Sequence, residues 1–286
     1  MKICRIKNDK LETYGIVVGD YILTKSQIVD ETGIPIPDNI KDFMFDGWYN
    51  EIKDKISDIT EKTRLDKYTI LAPIANPSKI ICVAFNYTDH ASDQNMIPPD
   101  DPAIVIKPKT TLTGTNSDLV CPKFARKLDY EIELGVIIGE MCKSIDAIRA
   151  KEVIFGYTIM NDASSREIQF GDGQFTRGKG FDTFAPCGPY ITTADEIIDP
   201  DMLSMKTFVN GDIRQNSSTS KAHIKTYDMI SKLSQVMTLE RGDIISTGTP
   251  TGVALNNPNV EFLKHGDKIR MEIQDLGILE NIVKII

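Results

Sequence analysis

Apolar and polar residues alternate along Met1-Lys2-Ile3-Cys4-Arg5-Ile6, the period of a half-buried strand. Residues 1–24 read as short strands around turns at Asn8-Asp9-Lys10 and Gly19-Asp20. From about Ile40 to Thr63 the pattern turns helical and charge-mixed, around the only tryptophan, Trp48. The prolines of Leu71-Ala72-Pro73-Ile74-Ala75-Asn76-Pro77 then break regular structure. A boundary there divides the chain into a small N-terminal α/β domain, residues 1–75, and a larger domain, residues 76–286. Lys79-Ile80-Ile81-Cys82-Val83-Ala84-Phe85 is a continuous apolar run, which predicts a buried strand. Further strands are predicted over 103–107, 130–139, 155–160, 206–209, 243–247 and 268–273, with a hairpin turn at Asn210-Gly211. Met229, Ile230, Leu233, Val236 and Met237 recur at helical spacing and predict one helix over 228–237. Strands outnumber helices, so the fold class is α+β and mostly β. Asp93 through Pro102 holds three prolines and little apolar content, the composition of a mobile loop that can serve as a lid.

One strand breaks the expected pattern. In Asp129-Tyr130-Glu131-Ile132-Glu133, the alternation of strand side chains sets Asp129, Glu131 and Glu133 on one face, about 6.6 Å apart. The strand runs on as Gly135-Val136-Ile137-Ile138-Gly139, apolar on both faces. Like charges at the mouth of a core strand repel one another and lose hydration unless a positive partner joins them. Asn161-Asp162 ends another apolar run, Phe155 to Met160, and supplies a third carboxylate beside Glu131 and Glu133. Three carboxylates leave about three of six positions open on a hard divalent ion, room for a chelating substrate and a water. An acidic, solvent-facing strand edge with an unrelated turn aspartate is the alternative.

Composition narrows the classes. Hydrophobic residues make up 41% and charged residues 26%, the proportions of an ordinary globular protein. With 33 basic and 41 acidic residues the formal charge is -8, which argues against nucleic acid or an anionic membrane as the main partner. No apolar run reaches membrane-spanning length, and the N-terminus lacks a signal-peptide block. The five cysteines form no C-x-x-C pair, which suits free thiols in a reducing cytoplasm. The three histidines are far apart, so oxygen-ligated Mg²⁺, Mn²⁺ or Ca²⁺ fits better than a histidine-rich zinc site.

Three further constellations carry chemistry. In Asn86-Tyr87-x-x-His90-x-x-Asp93, His90 is a candidate general base and Asp93, three residues on, can orient its ring; an exposed histidine on a surface turn is the bland alternative. Arg166 and Lys179 are candidate binders of a carboxylate or enolate, and Gln169 of a water or carbonyl, against a reading as ordinary surface ion pairs. Ser246-Thr247-Gly248-Thr249-Pro250-Thr251-Gly252-Val253 resembles an anion-binding turn but lacks the lysine of a P-loop.

Together these blocks resemble the fumarylacetoacetate hydrolase family. The resemblance rests on Asn86-Tyr87-x-x-His90, Asp129-Tyr130-Glu131-x-Glu133-Leu134, Asn161-Asp162 with Arg166 and Gln169, and Lys179-Gly180-Phe181-Asp182-Thr183. Phe208-Val209-Asn210-Gly211 and Thr247-Gly248-Thr249-Pro250-x-Gly252-Val253 complete it, in the family's order, over roughly residues 76 to 286. Residues 1–75 resemble the small N-terminal domain of longer bacterial members. The resemblance implies a mixed β-roll or β-sandwich catalytic domain, a homodimer, and Mg²⁺, Mn²⁺ or Ca²⁺ held by Glu131, Glu133 and Asp162. Substrates would be small 2-oxo acids or their enols, and reactions C–C hydrolysis, decarboxylation or tautomerisation. Hydrolysis of an acylpyruvate-like or 2,4-diketo acid is the leading expectation. His90, oriented by Asp93, would activate water, and Gln169 would place it. Lys179 would bind the oxyanion or enolate, Thr249 and Tyr87 would contact the substrate, and Arg166 would meet a distal carboxylate or support the metal loop. Many hydrolytic members carry Glu where Asp93 stands, one methylene longer, so the dyad is a point of departure. A non-catalytic ion-binding module of the same fold is the reading from another class.

Overall fold

The computed structural model describes residues 1–9, 11–171, 173–255 and 257–286. The predicted Asn8-Asp9-Lys10 turn includes Lys10 and so lies partly outside the described residues. The architecture is α+β and mostly β: a 12-stranded mixed sheet, a five-stranded sheet and a two-stranded ladder, with short helices around them.

The centre of the large sheet is the Ile132–Ile138 strand, antiparallel on one side to Ile154–Asn161 and on the other to Ile244–Ser246. It is buried at every position, and its side chains alternate between two cores. Val136 and Ile138 pack with Met205, Ile269 and Leu279 of the five-stranded sheet and with Met229 and Leu233 of the Thr226–Val236 helix. Ile137 points the other way, into a core shared with Phe43, Met44 and Ile52. A strand apolar on both faces is therefore sandwiched, as its composition requires.

The first 75 residues join this sheet. Lys2–Lys7 pairs with Ala185–Thr193 at Lys2↔Thr192 and Ile3↔Ile191, so the sheet runs unbroken from the N-terminal strands into those of residues 76–286. The predicted helical region is three short pieces, Ile40–Phe45, Trp48–Ile52 and the 3-10 turn Lys53–Asp58. Lys25–Thr32 forms a further helix, started by a capping box between Thr24 and Gln27. The hairpin turn falls at Asn210 and Gly211, both at positive φ, between Ser204–Val209 and Asp212–Ser218.

Strand geometry also brings the chemistry to one end of the sheet. Ile80–Ala84 and Ile244–Ser246 run parallel, with Ile80↔Ile244 and Cys82↔Ser246 in register. Both therefore end beside the beginning of Ile132–Ile138 and the end of Ile154–Asn161. The segments that follow them carry His90 and the Thr247–Thr251 turn. The predicted 130–139 strand differs in one respect. Pairing stops at Asp129 and resumes at Ile132, and Leu128–Asp129 forms a separate ladder with Ser164–Ser165. The interruption at Tyr130 and Glu131 breaks the alternation, so Asp129 does not stand in a row with the other two acids.

Candidate active site

Glu131, Glu133 and Asp162 converge, each offering an oxygen within 4.8 Å of the others. They are 4%, 1% and 2% exposed, which removes the alternative of a solvated acidic edge. Glu133 leads the central strand, and Glu131 is fixed by its amide, which donates to Asn161 Oδ1 at 3.0 Å. The Asp162 amide donates to the Glu131 carbonyl at 3.0 Å, locking the two segments together. The Gly248 amide donates to Glu133 Oε2 at 2.9 Å, so the hydroxyl-rich turn does cradle an anion, a carboxylate of the chain itself.

Cations are built in around the acids. Lys179 Nζ is 2.6 Å from both Glu131 Oε2 and Asp162 Oδ2. Lys107 Nζ is 2.5 Å from Asp162 Oδ1 and also donates to the carbonyls of Phe184 at 2.7 Å and Ala163 at 3.3 Å. The Arg166 guanidinium meets Asp129 Oδ2 at 2.9 Å, Glu131 Oε1 at 2.7 Å and Gln169 Oε1 at 3.0 Å. Burial pushes the Glu131 carboxyl up, but Arg166 and Lys179 outweigh it and hold it well below the usual carboxylate range. Glu133 goes the other way: burial first, then the charges of Asp162 and Glu131, raise it well above that range. Burial works against the Lys179 charge, yet Asp162 and Glu131 raise it above an ordinary lysine. All-oxygen, closely spaced carboxylates are the donor set of a hard divalent ion, so these three residues fit Mg²⁺, Mn²⁺ or Ca²⁺.

A cavity of about 20 Å³, the room of roughly one water, opens beside the acids. His90, Gln94, Arg166, Gln169, Lys179 and Thr249 line it, so five residues singled out in the sequence meet here around the acids. His90 sits on the short Thr88–Asp93 helix, buried, with Nε2 3.0 Å from Gln94 Nε2 and no hydrogen-bond partner for Nδ1. Burial holds its pKa below the usual 6.5, against the raising effect of Glu131.

Several roles differ from expectation. The Asp93 carboxylate accepts from Thr251 Oγ1 at 2.5 Å, and the residue on the His90 ring is Gln94, one position further on. Asp93 is exposed, its side chain is one methylene shorter than the glutamate the resemblance leads one to expect, and it meets the neighbouring turn. Tyr87 is a core residue rather than a substrate contact: it is fully buried, its hydroxyl meets Met205 Sδ at 3.5 Å, and it does not line the cavity. Of the two roles expected of Arg166, its contacts with Asp129, Glu131 and Gln169 match support of the acidic cluster rather than a free anchor for a distal carboxylate. Asp129, the acid that left the row, accepts from Arg166 and from the amides of Tyr130, Ala254 and Leu255. Thr249 Oγ1 accepts from buried Gln215 at 2.8 Å.

Sequence reasoning passed over Lys107 and Gln94. A lysine closing the apolar strand Ala103–Lys107 was a usable signal, since a buried ammonium demands a carboxylate. Gln94 lies four residues after His90, the other spacing at which side chains meet on a helical turn, and that spacing was its signal.

Residues 79–284 match the family described as "Fumarylacetoacetate (FAA) hydrolase C-terminal". An oxaloacetate tautomerase of Rattus norvegicus, named as mitochondrial, is 41% identical over 214 residues, 74% of this chain and 68% of that protein. A maleylpyruvate hydrolase of Sphingobium, solved with manganese(II) and pyruvate, superimposes with TM-score 0.82 at 32% identity, covering 100% of this chain and 99% of the other. A 2-hydroxyhepta-2,4-diene-1,7-dioate isomerase of Mycobacterium marinum gives TM-score 0.78 at 32% identity, covering 100% and 98%. Matched over most of its length in sequence and throughout in fold, the chain belongs to the fumarylacetoacetate hydrolase family.

Proposed function

We propose that this protein is a divalent-metal-dependent enzyme that interconverts the keto and enol forms of a small 2-oxo acid of the oxaloacetate type. The observation that carries this reading is the pairing of His90, buried in the acids' cavity, with the neutral amide of Gln94. A base held by a carboxylate is strengthened for drawing a proton from water. A buried base held by an amide is weaker, and suits the more acidic C–H bond beside a 2-oxo group.

Bound at Glu131, Glu133 and Asp162, Mg²⁺ or Mn²⁺ would polarise the 2-oxo oxygen as a Lewis acid and orient the substrate. His90 takes the proton from the carbon next to the 2-oxo group. The C–H electron pair enters the carbon–carbon bond, charge collects on the oxygen, and the proton handed back by the His90 imidazolium to that oxygen completes the enol and resets the base; the reverse restores the ketone. Gln169 and Thr249 offer polar contacts to substrate oxygens from the same cavity. Arg166 holds Glu131 in place throughout. The similarity to proteins named oxaloacetate tautomerase supports this outcome.

The test is the decay of enol-oxaloacetate absorbance with Mn²⁺-loaded protein, with pyruvate and CO₂ measured in parallel. Acceleration over buffer and metal is expected, with a loss of about 10²-fold or more in His90→Gln. Decay no faster than that control would sink the proposal.

C–C hydrolysis of an acylpyruvate-like or other 2,4-diketo acid is the second reading. It is favoured by the full-length likeness to maleylpyruvate hydrolase and by Asp93 on the helix that carries His90. It requires Asp93 to leave Thr251 for the imidazole. Asp93→Asn should then depress pyruvate release from a 2,4-diketo acid far more than enol–keto conversion.

A further inference from the structure

Two buried lysines serve Asp162, and they are not equivalent. Lys107 holds Oδ1 and two backbone carbonyls, of Ala163 and Phe184, and does not line the cavity. Lys179 holds Oδ2 of Asp162 and Oε2 of Glu131, and it does line the cavity. Those two carboxylates are the only hydrogen-bond partners of its ammonium among the described residues.

A divalent ion placed among Glu131, Glu133 and Asp162 needs an oxygen from each. Glu131 Oε1 is already taken by Arg166 and Asp162 Oδ1 by Lys107. The other oxygen of each carboxylate is held by Lys179, so every oxygen of the pair already faces a cation. An ammonium and a dication cannot share them closely, because like charges a few ångströms apart in a buried site repel strongly.

We infer that Lys179 is a displaceable counter-cation. With a divalent ion held by Glu131, Glu133 and Asp162, the ammonium would lose its partners and turn into the cavity, where it would meet the anionic group of the substrate. Lys107, anchored by two carbonyls, stays. Cation uptake therefore precedes and creates the binding site for the substrate anion. The inference rests on the metal-dependent reading above and adds an order of events to it.

Two measurements test it. In a crystal structure of the native protein with Mn²⁺, Lys179 Nζ should lie beyond about 3.5 Å from both oxygens, outside hydrogen-bond range, with Lys107 unmoved. Titration calorimetry should show Lys179→Met tightening Mn²⁺ binding at least about tenfold more than Lys107→Met. Each change removes one ammonium from Asp162, so their difference reports competition for ligand oxygens rather than the general field. Lys179 remaining on both carboxylates in the loaded protein, or equal effects of the two substitutions, overturns the inference and leaves the metal-dependent function standing. No Mn²⁺ uptake by the native protein refutes the cation centre and the inference together. Should either variant fail to fold, the native structure decides alone.

Discussion

Individual side chains here are defined by the charge they must satisfy. Asp129 has no part in the acidic cluster, yet, fully buried, it accepts from the Arg166 side chain and three backbone amides. Removing one member of such a set strands the others. Asp129→Ala should destabilise the fold by about 3–5 kcal/mol in urea titration, whereas an exposed pair such as Arg149–Glu152 should contribute under about 1 kcal/mol. As the proposed base, His90 should govern the response to pH. Burial keeps its pKa under 6.5, so the neutral ring, the form that accepts a proton, persists to lower pH than in a free histidine. The profile of kcat/KM should rise through an apparent pKa below 6.5 and level off above it. An acid limb at or above that value would assign the base elsewhere.

At the scale of elements, the turn after Ile244–Ser246 does more than its weak motif implied. Gly248 has φ +99°, and a Cβ there would sit 2.8 Å from Asn86 Cβ. Asn86 in turn ties three segments, accepting from the Ile224 amide and donating to the Thr247 and Ile224 carbonyls. Gly248→Ala should therefore lose about 1–3 kcal/mol of stability, and, by moving the amide that holds Glu133, weaken Mn²⁺ binding. The periodicity of the chain made such elements legible wherever burial was uniform. Ala103–Lys107 and the Asn210-Gly211 hairpin fall where the pattern put them, and the 228–237 helix is displaced by only two residues at its start. The acidic triad was legible because three carboxylates at apolar strand ends have few uses. The break at Tyr130 and Glu131 was hidden, since Asp129, Glu131 and Glu133 alternate as a continuous strand would. Ala185–Thr193 was missed because Pro186, Gly188 and Pro189 imitate a loop. The demands that Asp129 and Glu131 make on Arg166 depend on tertiary neighbours that spacing does not encode, whereas the His90 partner lies at i,i+4 on the same helical turn.

At the scale of the whole molecule, the N-terminal segment and the catalytic strands share one sheet and one core. Phe43, Met44 and Ile52 belong to the cluster that covers Ile137, Met160 and Ile244. Urea unfolding followed by Trp48 fluorescence, which reports on the first segment alone, should coincide with the far-ultraviolet circular dichroism of the whole chain. Separate transitions would restore two independent units. Metal should act on the same equilibrium. Mn²⁺ at a hundredfold excess over its Kd should add about 2.7 kcal/mol and raise Tm, and the rise should vanish in Glu133→Gln and Asp162→Asn.

The parallel pairing of Ile80–Ala84 with Ile244–Ser246 has a consequence for how the protein is made. Chains leave the ribosome from the N-terminus onward. The acids and His90 emerge long before the strand and turn that flank them, and Thr251 comes late in a chain of 286 residues. A nascent polypeptide must carry these acids unsheltered on that side until Thr251 has been made. A ribosome halted short of that turn would release a product with every ligand present and no wall to shelter them.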